Sequence, residues 1–100
     1  MNNLFISYDL RNPGQSYDRV ITAIKGLGSW AKVQYSLWYV SSKYTATQAT
    51  EIVRRALDAN DNLIVIDATS NDASWYGIGQ EVTQFMQSNW NRQTAGVSRY

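Results

Sequence analysis

One hundred residues, 44% hydrophobic and 17% charged, make one compact domain with no room for a second independent core. The charged fraction lies below the ~25% usual for globular chains, and 13% aromatic residues exceed what a chain too polar to collapse would carry, which excludes disorder. Nine Lys and Arg against eight Asp and Glu leave a net charge of +1, too little to attract a polyanion broadly. The absence of Cys and His removes disulfides, thiolate zinc sites, catalytic triads and imidazole bases.

Leu4, Ile6, Tyr8 and Leu10 alternate with Asn3, Phe5, Ser7 and Asp9, the period of a strand, and Asn12-Pro13-Gly14 marks its end. The apolar run Leu4-Phe5-Ile6 is broken by Ser7 and Asp9, too short and too polar for a signal segment, and no long apolar stretch follows. A cytoplasmic protein without a membrane partner is expected. Ser16 offers an N-cap, and Tyr17, Val20, Ile21, Ile24 and Leu27 recur at helical spacing until Gly26 and Gly28 stop the helix. From Ala31 to Ser41 the β-favouring residues crowd into a stretch too long for one typical strand. The pattern predicts two short strands broken near Tyr35-Ser36, or one bent strand.

Thr45 to Gln48 has capping-box spacing, and Ala49, Ile52, Val53, Ala56 and Leu57 then trace one helical stripe. Glu51, Arg54 and Arg55 face away, with Glu51 and Arg55 spaced for an i,i+4 pair. Leu63-Ile64-Val65-Ile66 reads as a strand buried on both faces that closes the sheet. Beyond Ser70-Asn71-Asp72, Val82, Phe85, Met86 and Trp90 mark a weaker helix, so that residues 1–90 form the domain and 91–100 a frayed tail.

The order β-α-β-β-α-β plus a terminal helix predicts an α+β, ferredoxin-like fold: a four-stranded antiparallel sheet with two helices on one face. Its second face carries Phe5, with further aromatics at Trp38 or Tyr39, and needs a cover. The terminal helix folding back and an identical sheet from a second chain both meet that need, and a homodimer is slightly favoured.

Three strings, Leu4 to Leu10, Lys32-Val33-Gln34-Tyr35-Ser36-Leu37-Trp38, and Asp61 to Ile66, resemble the small CRISPR-associated adaptation subunit, here called Cas-two. That family opens with a strand ending in Tyr-Asp, carries an R-V-Q-x-S-V-F string after its first helix, and closes with a D-D-x-hydrophobic strand. Ser36-Leu37-Trp38 and Trp75-Tyr76-Gly77 look closer still to the SinR-like small proteins of the same fold. The SinR-like likeness implies a fold, whereas the Cas-two likeness implies a chemistry: a homodimer acting on nucleic acid as a metal-dependent, endoribonuclease-like nuclease. Asp9 would be the Mg²⁺ ligand and catalytic carboxylate, one from each protomer.

Mg²⁺ prefers hard oxygen ligands and keeps most of its waters, so a pair of carboxylates suits it and one alone holds it poorly. The plainer reading of Asp9 is an acceptor for the turn that follows it. Asp67, near the end of the closing strand, offers a second acid for a two-Asp cluster or simply terminates the strand. Arg11, Arg19 and Lys25 would flank the site and meet phosphates, or be ordinary solvated charges.

Trp38, Tyr39, Trp75 and Tyr76 are the aromatic candidates for nucleic-acid or partner binding, set against core packing. The third strand lacks the RNA-recognition signature, and Gly77-Ile78-Gly79 is too short for a dinucleotide loop. The rival expectation is a non-enzymatic module that docks a protein partner or a nucleotide ligand, as an accessory or antagonist of a bacterial defence system does.

Overall fold

The computed structural model describes residues 1–11 and 17–89. The Asn12-Pro13-Gly14 turn, the Ser16 cap, Trp90 and the expected tail lie outside the described residues. Eight elements follow in chain order: β1 (Asn2–Asp9), α1 (Tyr17–Lys25), β2 (Gly28–Gln34), β3 (Leu37–Ser42), α2 (Ala46–Arg54), β4 (Asn62–Asp67), β5 (Asp72–Tyr76) and α3 (Gln80–Asn89). The fold is α+β. Its one sheet has the order β2-β3-β1-β4-β5, with every neighbouring pair antiparallel.

The sheet therefore has five strands where four were expected. Asp72 to Tyr76 pairs along β4, setting Ala73 opposite Ile66 and Trp75 opposite Ile64, so β4 is an interior strand and β5 forms that edge. Ala73 and Ser74 carry little β-favouring character, and it is the free backbone edge of β4 that recruits them. Asn71, at φ 51°, provides the reversal between the two strands.

Alternation along the central strands divides the sheet into two unlike faces. Leu4, Ile6 and Tyr8 from β1, Trp38 and Val40 from β3, and Leu63 and Val65 from β4 form one buried cluster with Val20 and Ile24 of α1 and Ala46, Ala49 and Val53 of α2. The other face, with Phe5, Leu37, Tyr39, Ile64, Ile66, Ala73 and Trp75, is half-buried throughout. The strand expected to be buried on both faces is thus fully buried on one only.

Local chemistry fixes the ends of these elements. Thr45 caps α2: its side chain accepts from the Gln48 backbone while the Gln48 side chain accepts from the Thr45 backbone, the capping box that the sequence spacing predicts. The helix stops at Arg54, and Glu51 reaches Arg54 at 3.4 Å in place of the expected Arg55. Strands β2 and β3 break at Tyr35-Ser36, as read from sequence, although β2 begins earlier, at Gly28. A Cβ on Gly28 would stand 2.1 Å from the Ser41 carbonyl oxygen, so only glycine lets β2 approach β3 there. Buried Ser42 donates to the Leu27 carbonyl at 2.7 Å and accepts from the Tyr44 amide at 3.1 Å, pinning the α1–β2 turn to the end of β3.

Helix α3 buries none of its residues. Val82 and Phe85, read as an apolar stripe, are 53% and 70% exposed. Helix α3 meets the far face at β5, where Gln87 lines a hollow with Ala73 and Trp75. The Trp75 indole N–H donating to Thr83 Oγ1 at 3.1 Å ties the helix to β5.

Candidate nucleic-acid and partner interface

Asp9 ends β1 on the half-buried face, beyond Phe5 and Ser7 and opposite Asn62 of β4. It lines a shallow hollow of about 260 Å³ with Ser7, Asn62, Ile64 and Ile78. Its carboxylate is well exposed, and the nearest cation is Arg11, with Nε 3.9 Å from Oδ2. Such a pair in water is worth ~0–1 kcal/mol, so the carboxylate is not committed to Arg11.

The backbone just after β1, at Arg11, is bonded by a different acid. Asp61 is fully buried; its Oδ1 accepts from the Arg11 amide at 2.9 Å and its Oδ2 from the Asp58 amide at 2.7 Å. Hydrogen bonds from two amides to a buried carboxylate are the strong, charge-assisted kind. The turn-acceptor role considered for Asp9 falls mainly on residues 12–14, outside the described residues; the advance sign of Asp61 was its position just before an apolar run.

The register decides between the two readings of Asp67. Asp67 lies opposite Leu4 and Asp9 opposite Asn62, so the two acids sit at opposite ends of the β1–β4 pair. Five residues of antiparallel strand separate them by roughly 17 Å. Asp67 is buried and accepts from the Thr69 and Ser70 amides at 3.0 and 3.3 Å, which is the strand-ending role. Among the described residues no three of His, Cys, Asp and Glu gather as metal-holding groups do.

The basic candidates part company as well. Arg19 Nη2 donates to the Ala56 carbonyl at 3.0 Å, which binds α1 to the end of α2 in the helix layer, away from Asp9. Lys25 stands 4.4 Å from the Trp30 ring centroid at the other end of α1. Arg11 is the one cation brought to Asp9 by an ion pair among the described residues.

Of the two aromatics that the third strand offered to the uncovered face, Trp38 or Tyr39, Trp38 lies opposite Ile6, inside the helix-covered core at 3% exposure. Its indole N–H has no acceptor among the described residues. Strand parity decides this: Tyr39, one residue on, takes the open face, its ring 5.4 Å from that of Phe5 and its hydroxyl donating to Asn3 Oδ1 at 2.8 Å. Trp75 lies on that open face. Tyr76, opposite Leu63, turns to the helix side, where its hydroxyl donates to Ala59 O at 3.0 Å and Arg54 stands 5.3 Å from its ring.

A second concentration of aromatic and basic groups is absent from the sequence reading. Tyr17, Trp30, Val33 and Tyr35 are 51%, 46%, 51% and 88% exposed. Trp30 and Val33 lie along edge strand β2, Trp30 beside the end of α1, while Tyr35 in the β2–β3 turn and Tyr17 at the start of α1 line one hollow. Lys32 Nζ stands 5.0 Å from the Tyr35 ring and 5.9 Å from that of Trp38. Tyr17 reads as a helix-stripe residue and Tyr35 as a strand residue in sequence, and only the fold sets them around one hollow.

No helix among the described residues is long and apolar enough to cross a membrane. No family model matches the chain, and neither a curated protein nor a solved structure does.

Proposed function

We propose that the chain is a small, Cas-two-like, nucleic-acid-binding protein that works in the cytoplasm as a homodimer through its open sheet face. In this reading Asp9 from each copy holds Mg²⁺ for phosphodiester cleavage. The fold is then the ferredoxin-like arrangement, since β2-β3-β1-β4 with α1 and α2 on one face is its strand order, extended at one edge by β5. One observation carries the reading: the apolar face that α1 and α2 leave open has an exposed carboxylate, Asp9, at its end.

A second copy laid on that face buries Phe5, Tyr39 and Ile64, and a two-fold axis near their Asp9 end brings the two carboxylates together. Mg²⁺ sites commonly use one or two carboxylates with waters and substrate phosphate, so the donor set suits the ion when shared between copies; one chain offers Asp9 alone. The bound ion would polarise the phosphodiester and activate water. Asp9 would position it, and Arg11, 3.9 Å away, is placed to turn from Asp9 to a phosphate oxygen when a strand binds.

Light scattering at micromolar concentration and an Mg²⁺-dependent cleavage assay on RNA and DNA test this reading. A dimer whose cleavage falls at least a hundredfold in Asp9→Asn supports it; a monomer, or cleavage indifferent to Asp9→Asn, ends it.

The half-buried aromatic pair Phe5–Tyr39, with Trp75 on the same face, favours a second reading, a non-enzymatic module docking a protein partner there. A protein that stays monomeric alone and dimer-sized only with that partner distinguishes it.

A further inference from the structure

The hollow between α1 and the β2–β3 turn measures about 460 Å³, within the ~300–1,000 Å³ typical of small-molecule sites. Tyr8, Tyr17, Ile21, Lys32, Tyr35 and Ser36 line it. It lies on the helix side of the sheet, whereas Asp9 and the open face lie on the other.

Three features define what it can take. Tyr8 and Tyr17 stand with ring centroids 6.3 Å apart and planes tilted by 54°, and Tyr35, 88% exposed, adds a third ring at the mouth. Ile21 supplies an apolar wall. Lys32 Nζ is held above the Tyr35 and Trp38 rings and, among the described residues, has no carboxylate in ion-pair range. Residues 12–16, Asn-Pro-Gly-Gln-Ser, contain no acid that would neutralise it. A cation over an exposed ring gains little and keeps its outward N–H donors for an anion.

The Tyr8 hydroxyl donates to the Tyr35 carbonyl at 3.4 Å, which links the floor of the hollow to the turn that carries its rim. The mouth is therefore tethered to a core residue, the kind of preorganisation that lowers the entropic cost of binding.

Flat aromatic faces beside a single unneutralised ammonium match a ligand with a planar ring at one end and an anionic group at the other. We propose that this hollow binds one nucleotide, its base against Tyr17 and Tyr35 and its phosphate on Lys32 Nζ. The same chemistry comes from a free nucleoside monophosphate or from one unit of a single strand. The site stands apart from Asp9 and from the open face, so it does not depend on the dimer or on cleavage.

Titration of the ¹⁵N-labelled full chain with AMP, UMP, inorganic phosphate and a five-nucleotide oligouridylate, followed by amide shifts, tests the site. Saturable shifts at Tyr17, Ile21, Lys32 and Tyr35 are expected, with phosphate alone binding more weakly than the nucleotides. Tyr35→Ala and Lys32→Ala each weaken binding about tenfold, while Tyr35→Phe, which keeps the ring, binds as the wild type does. Both alanine positions are exposed, so the variants keep the wild-type dispersion of amide shifts. Saturation by AMP or UMP identifies a free nucleotide as the source, and saturation by the oligouridylate alone identifies a strand. Absence of groove shifts with every probe, or shifts that survive both alanine variants unchanged, overturns the proposal. Failure of the Asp9 tests leaves these outcomes untouched.

Discussion

The two faces of the sheet are built from the same strands by the same alternation, yet they have opposite fates. On β1, Leu4 and Ile6 are fully buried under α1 and α2, while Phe5 between them is half-buried on the far side. On β4, Leu63 and Val65 are sealed while Ile64 and Ile66 remain half-exposed. Composition does not separate the faces, since both are apolar at their centres. Coverage does, and it teaches that the helix-covered face carries the stability of one chain while the open face holds apolar area that a partner can still remove from water.

Truncation on the covered face has the largest expected effect. Ile6→Ala should cost about 3 kcal/mol of unfolding free energy in urea, through lost burial and a cavity with little freedom to collapse. A loss well under that would mean the helices repack and the covered face is less rigid than its full burial implies. Next comes Asp61→Asn, with about 2 kcal/mol lost, because an amide in that buried place turns N–H donors toward a backbone amide that needs an acceptor. The same measurement reads it.

Ile64→Ala, on the open face, should cost about 1 kcal/mol in dilute solution, in keeping with partial burial. It sharpens the contrast when repeated at high protein concentration: a paired face makes the loss grow with concentration, because association stabilises the wild type by mass action. Equal losses at both concentrations break the link between open face and self-association. Smallest of all, Glu51→Gln should shift stability by less than about 0.5 kcal/mol in the same urea series, since the Arg54 pair is exposed on both sides.

The central elements were legible where local signals and periodicity agree. The β1 alternation, the Thr45 capping box and the break at Tyr35-Ser36 each depend on residues a few positions apart, and each appears as read. Strand β5 escaped because Asp72-Ala73-Ser74 has weak strand character and gains its structure from the edge of β4. The covered place of Trp38 escaped because a crowded run of β-favouring residues shows a strand without showing its parity, and a shift of one residue exchanges the faces. Of the candidate site, Asp9, Tyr39 and Trp75 do share a face, whereas Asp67, Arg19, Trp38 and Tyr76 do not join them there.

By itself the amino-acid sequence determined an α+β chain with a buried strand core, two amphipathic helices and no thiol or imidazole chemistry. Those properties follow from residue type and near-neighbour spacing. Tertiary structure alone decided which acid is buried against the Arg11 amide and which is exposed, which aromatic is core and which is surface, and that Tyr17, Lys32 and Tyr35 meet around one hollow. The physical reason is that strand register and helix placement are set by long-range packing, and local pattern carries no record of which distant backbone a residue will face.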